Sequence, residues 1–592
     1  LIDYDKEVVY PFGYGLSYTT FTQKMSDITS DGSSLKFSVT VTNTGSVAGK
    51  DVVEIYNDPP YTNGGIEKAS ANLLDFAKTS ELAPGESETI DFTIPVEDLA
   101  SYDYKNNGCY VLEAGDYIIS TNSDSHNVLD SKTYTVASDI VYNESNKRES
   151  DEVVATNQFD FAEGEITYLS RADGFANYDE ATAAPAAYEM SDEVKAGFEN
   201  CFTYTESGYE KDEDANAEDI TTGAKNGLKL ADLRGVDYND SKWDDLLDNL
   251  TFDEMNTLIG DAFHWTMPVK SIEAPGTRDE NGPQGLTASL LGSGATQLTA
   301  TAFTSEDVMA ATFNTDLMTA VGTIIGNNCL SANIACLYGP GNNIHRTPYG
   351  GRNFEYYSED GFLSGMMSAY EVAAIQEKGV HVVMKHFALN DCEQDRIGLG
   401  VWINEQAARE VYLKAFQAPI EVGNGNGVMI AYTRWGAVWS GGNAGLVNGI
   451  LRGEWGCDGM VITDNVLNVY VNGPDGVLAG VSIYDAMMPY VTDKLPEYKN
   501  DGVIVSAMRE ACHHNLYAIA NSCGMNGVGA NTTIKLTRPT VITMVIIITC
   551  AAAFFCLLGI VLWIFGVRKL RKTEEYKAYK GFLKDQKAAK KA

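Results

Sequence analysis

A single carboxylate stands at the end of a short apolar run in LRGEWGCDGMVITDN, residues 451–465. Gly459-Met460-Val461-Ile462-Thr463 reads as a fully buried strand of a parallel sheet, and Asp464 follows at its carboxyl end. An aspartate there has no core role. It could act as a nucleophile or hydrogen-bond acceptor in an open mouth, or it could cap the next helix. Three more apolar runs end in polar groups. HVVMKHFALNDCEQDR (381–396) ends in Lys385-His386, with Glu393 and Arg396 beyond, and NGVMIAYTRWG (426–436) ends in Tyr432. ACLYGPGNNIHRTPYGGRNFEYYSED (335–360) runs into a glycine-rich loop carrying Arg346 and Arg352. Arginine and lysine donate to hydroxyls, while a carboxylate accepts from them or attacks carbon. That mixture suits a polyhydroxylated ligand.

Elements able to position these groups alternate along the chain. FLSGMMSAYEVAAIQEKG (362–379) and NEQAAREVYLKAFQAPIEVG (404–423) have helical periodicity and lie between the apolar runs. Strand and helix in alternation predict an α/β barrel whose strand ends converge on one rim. KWDDLLDNLTFDEMNTLIG (242–260) opens this domain, expected over 236–524.

GRNFEYYSED, KHFALNDCEQDR and LRGEWGCDGMVITDN resemble the signature blocks of glycoside hydrolase family 3, the β-glucosidase and β-xylosidase family. PFGYGLSYTTF (11–21) resembles the opening of that family's fibronectin type III-like domain. The resemblance implies a retaining exo-acting β-glycosidase, most simply a β-glucosidase, that needs no cofactor or metal. Asp464 matches the catalytic nucleophile. Arg352, Lys385, His386 and Tyr432 match residues lining the sugar subsite, with Lys385 and His386 donating to ring hydroxyls. Glu393 and Arg396 are expected to support that strand end, and Arg346 to pack its loop by ion pairing.

Three departures from the family pattern bear on function. Asn281, in NGPQGL, stands where an aspartate that binds the sugar is expected, while Asp279 and Glu280 should point elsewhere. Losing a charge-assisted bond there costs about 1–2 kcal/mol of sugar binding. Asn465 follows the nucleophile where many relatives have Trp, so the leaving-group site is expected to be looser or differently built. The family's general acid/base is a Glu in a sandwich domain, which these 592 residues do not include. The resemblance therefore places the fibronectin-like domain before the barrel, with a preceding sandwich absent and residues 1–10 its remnant. A second reading stays open: a carbohydrate-binding surface protein with a degenerate, non-catalytic barrel.

Residues 11–137 carry short alternating strands such as LKFSVTVTN and DVVEIYN between turn-rich pieces, the pattern of an antiparallel sandwich. Residues 138–235 are acidic and polar and are expected to form a connecting region. A formal net charge of −38 argues against a nucleic-acid partner, whose phosphates it would repel. The ten cysteines include no CxxC pair and signal neither a zinc site nor a disulfide framework.

After a stalk (525–540), residues 541–567 form an uncharged apolar segment longer than the ~20 residues that cross a bilayer. RKLRKTEEYKAYKGFLKDQKAAKKA (568–592) follows, with ten basic against three acidic residues. That asymmetry predicts a single membrane span with the tail in the cytoplasm, near anionic headgroups, and the catalytic portion outside.

Overall fold

The computed structural model describes residues 4–185, 188–198, 209, 219–287, 300–466, 471–486, 491–536 and 540–591. They fall into two units, divided between Thr533 and Ile534.

The first unit begins with a β-sandwich. Strand Ser34–Asn43 alternates buried and exposed side chains, turning Leu35, Phe37, Val39 and Val41 inward. It pairs antiparallel with Phe21–Met25 on one side and Ser87–Pro95 on the other. The register sets Phe37 against Phe92, whose rings stack at 5.6 Å. A second sheet runs in the order Asn127–Val136, Gly115–Asp124, Val52–Asp58, Asn72–Lys78. Its Ile55, Tyr117 and Ile119 meet the first sheet in one apolar core.

The polar segment after the sandwich is tied down at specific points. Arg148 is buried, forks onto Asp151 at 2.6 and 3.0 Å, and lies over the Tyr110 ring. Phe159 is buried against Trp435 with ring centroids 4.1 Å apart, and the backbone N–H groups of Gln158 and Phe159 donate to Glu405. The acidic stretch expected to connect the domains at 210–218 lies outside the described residues.

The barrel is built on a five-stranded parallel sheet in the order Asp279–Asn281, Cys336–Gly341, His381–Phe387, Gly427–Ile430, Met460–Thr463. All four apolar runs of the sequence are thus adjacent strands, buried on both faces. Parallel bridges from Ile462 to Ile483 and from Asp485 to Ala262 extend the sheet. An antiparallel bridge from Trp265 to Arg278 then closes it onto its first strand. Inside lie Tyr338, Val383, Met429, Met460 and Ile462. Gly459 is required where it stands, since a Cβ there would fall 1.4 Å from the Asn426 carbonyl oxygen. Helices Thr315–Ala332 and Gly361–Gln376 pack outside, their first turns capped by Asn314 and Asp360.

The second unit holds helix Thr540–Leu570, whose span Ile542–Leu570 has a mean hydropathy of 2.9. It continues past residue 567 to include Arg568 and Lys569 in its last turn. At 1.5 Å per residue it reaches about 45 Å, enough to cross a hydrocarbon core of about 30 Å. Helix Glu574–Ala589 follows, capped by Thr573.

Candidate active site

Each residue singled out in the sequence sits at the carboxyl end of a barrel strand or in the loop just after it. Asp464 follows strand Met460–Thr463, and its backbone N–H donates to Ile430 O, which holds it against the neighbouring strand. Its Oδ1 accepts from the Asn465 N–H at 2.7 Å. Its Oδ2 faces His386 Nε2 at 3.6 Å and Arg396 Nη1 at 3.5 Å. One oxygen is pinned by backbone while the other looks into a cationic pocket. The Asp464 side chain is 11% exposed, buried but reachable.

Lys385 and His386 end the adjacent strand and are both buried. Lys385 Nζ donates to Asn281 Oδ1 at 2.9 Å and pairs with Glu355 Oε1 at 3.1 Å. Asn281 therefore does face the pocket. Asp279 instead accepts from Thr277, and Glu280 turns toward His264 and Arg278, as expected of residues pointing elsewhere.

Arg352 connects the two halves of the pocket. Its Nε and Nη2 fork onto Glu355 at 2.8 and 2.7 Å, and its Nη1 donates to His386 Nε2 at 3.1 Å. A guanidinium can only donate, so His386 Nε2 accepts, and Nδ1 carries the proton toward Tyr356 Oη at 3.3 Å. Burial holds the His386 imidazole well below the usual histidine range, and the charges of Arg352, Lys385 and Arg396 push the same way. The ring is neutral at physiological pH. With Nε2 engaged as an acceptor, donation from it to a sugar hydroxyl requires the Arg352 bond to be exchanged. Burial would raise the Glu355 carboxyl, but Lys385 and Arg352 outweigh it and hold it at about 2.

Arg396 stands closer to the centre than a supporting residue would. Besides facing Asp464, it pairs with Glu393 at 3.2 Å and lies over the Tyr432 ring, 4.4 Å from its centroid. Tyr432 in turn donates to Asn465 O at 2.7 Å, fixing the turn after Asp464. Glu393 accepts from Asn390 at 2.8 Å and pairs with Arg352 at 3.4 Å. Arg346 lies over the Tyr412 ring, 5.7 Å from its centroid, and its charge also acts on the Asp391 carboxyl.

Glu355, Tyr356 and Asn390 belong to this network, although the residue pattern does not single them out. Glu355 lies three residues after Arg352 across the short 3-10 turn Asn353–Glu355, a spacing that could have signalled the pair. Tyr356 and Asn390 meet through a hydrogen bond at 2.9 Å that links two different loops, which local sequence does not reveal.

Comparisons with known proteins identify the family of the two domains. Residues 286–475 match the glycosyl hydrolase family 3 N terminal domain, a span containing Arg352, Lys385, His386, Tyr432 and Asp464. Residues 51–125 match a fibronectin type III-like domain. The chain is 32% identical over 492 residues to a β-glucosidase of Ruminococcus albus, covering 79% of this chain and 47% of that protein. It is 29% identical over 489 residues to β-glucosidase A of Butyrivibrio fibrisolvens, covering 78% of this chain and 56% of that protein. The crystal structure of a β-glucosidase from Paenibacillus barengoltzii superposes with a TM-score of 0.69 at 26% identity, covering 90% of this chain and 59% of that one. The chain thus spans about half the length of the curated relatives it matches.

Proposed function

On the footing that this is a glycoside hydrolase family 3, β-glucosidase-like chain, we propose that it supplies the nucleophile of a retaining exo-acting β-glycosidase, acting on terminal β-linked glucose. The observation that carries this reading is the divided environment of Asp464, with Oδ1 bonded to the Asn465 N–H and Oδ2 turned toward His386 and Arg396. A sugar seated over Lys385, Asn281 and Arg352 would present its anomeric carbon to Oδ2. The Oδ2–carbon bond forms as the bond to the leaving oxygen breaks, and that oxygen departs with the electron pair, taking a proton from water or, for an activated phenol, leaving as the anion. Water then hydrolyses the glycosyl ester with overall retention.

Arg396 Nη1, 3.5 Å from Oδ2, would stabilise the aspartate charge as the nucleophile is released. Glu393 is a second carboxyl brought toward Asp464 through Arg396, but its oxygens are already engaged by Arg352, Arg396 and Asn390. It is therefore not assigned as the proton donor. A long apolar helix followed by a basic tail supports a surface-anchored enzyme, with the barrel outside and residues 568–592 in the cytoplasm.

One observation favours the second reading, a sugar-binding barrel without turnover. Asn281 gives Lys385 a neutral partner where the family pattern has an aspartate. Assay of the protein on a panel of aryl β-glycosides, with Asp464→Ala as control, separates the two. Release of the aryl alcohol by the wild type alone supports the enzyme, while sugar binding without release supports the second reading.

A further inference from the structure

We propose that helix Glu574–Ala589 lies flat on an anionic lipid surface, with Tyr579, Phe582 and Leu583 toward the acyl chains and Lys577, Lys580, Lys584 and Lys587 on the phosphates. The proposal rests on the surface-anchored reading above and adds a specific lipid partner for the tail. The four lysines are spaced three, four and three residues apart. At roughly 100° per residue they form one stripe about 80° wide. Tyr576, Tyr579, Phe582 and Leu583 occupy the neighbouring arc of about 120°. Tyr579 is 58% exposed and Phe582 59%, with no covering element among the described residues. Glu574 pairs with Lys577 at 2.7 Å, and Asp585 lies on the far side of the helix from the aromatic arc. Glu575, in the first turn, lies within the aromatic arc and sets its N-terminal limit.

Three features commit these faces to lipid. At 16 residues the helix is little longer than the ~12–15 at which isolated helices are marginal in water, so a surface that rewards both faces would stabilise it. Arg571, Lys572 and Thr573 are all that separate it from the apolar helix ending at Leu570, so the tether delivers it to the bilayer. Aromatic rings beside a lysine stripe match the layered chemistry of a headgroup interface, with apolar groups below and phosphates above. A parallel second copy would set the lysine stripes against one another.

The test uses the full chain in nanodiscs of phosphatidylcholine alone or of phosphatidylcholine with phosphatidylserine. Hydrogen–deuterium exchange is read on peptides covering 574–589. The expected result is slow amide exchange in the phosphatidylserine discs and fast exchange in phosphatidylcholine. Replacing the four lysines by Gln, which keeps helix propensity, should restore fast exchange in both. Equal exchange in the two lipids overturns the proposal. Protection that ignores lipid but rises with protein loading also overturns it, in favour of a second copy. Failure to enter the discs at all is visible before any exchange is measured, and overturns the anchored reading together with this one.

Discussion

Lys385 Nζ lies 3.1 Å from Glu355 Oε1, a buried ion pair that joins a barrel strand end to the loop carrying Arg352. Glu355 serves two cations at once, so it sets the spacing between the groups that would grip a sugar. Replacing it by Gln leaves buried Lys385 without its ion-pair partner and Arg352 with only Glu393, 3.4 Å away, which costs about 3 kcal/mol at neutral pH. The folded carboxyl sits at about 2, against 4.5 ordinarily. Its contribution is therefore complete above pH 4.5 and is lost as pH falls toward 2. Chemical denaturation across pH should show wild type and Glu355→Gln well separated at pH 7 and converging toward pH 2. A gap independent of pH would deny Glu355 this role.

Asn281 offers a gain-of-function test. Asn281→Asp puts a carboxylate opposite Lys385 and supplies the charge-assisted bond that the family pattern includes. Affinity for glucose or a glucoside should rise by about 1–2 kcal/mol, roughly five- to thirtyfold. Calorimetric titration on both proteins checks this. Unchanged or weaker binding would mean that Asn281 does not touch the sugar.

The carboxyl ends of the strands were the legible part of this site. Gly459 and the unbroken apolar run after it make a strand that buries on both faces, and the residue that follows must emerge at the rim. Asp464, Lys385, His386 and Tyr432 all stand at the ends of neighbouring strands, where the apolar runs put them. What local pattern does not convey is how loops cross between strands. Arg396 looks like a distant support in sequence, yet its loop folds back over Tyr432 to face Asp464. Glu355 hides in a run of polar and aromatic residues, and only the 3-10 turn brings it onto both cations. The closure of the sheet is also non-local, because its parallel bridge between Ala262 and Asp485 joins segments far apart in the chain.

Leaving-group chemistry offers a third test. The described site has a nucleophile but no carboxyl assigned to protonate the departing oxygen. The 592-residue chain should therefore fail on cellobiose yet be glycosylated slowly by a dinitrophenyl β-glucoside, whose leaving group needs no proton. Azide should accelerate breakdown of the ester and yield a β-glycosyl azide. Efficient cellobiose cleavage would show that a proton donor lies within the chain.

Helix Thr540–Leu570 carries a topological expectation. Protease added to intact cells should digest the barrel and spare residues 568–592, as followed by an antibody to the tail. High salt, which screens only the charge of the tail, should leave the protein in the membrane fraction. Release by salt alone would contradict a spanning segment.

The proposed reaction depends most on Asp464, and a mechanism-based 2-fluoroglucoside tests that role most directly. Peptide mapping of the inactivated protein should find the sugar esterified to Asp464, and Asp464→Ala should take up no label while unfolding at the same temperature as wild type. Label on another carboxylate, or substantial turnover by Asp464→Ala, would remove Asp464 from the reaction.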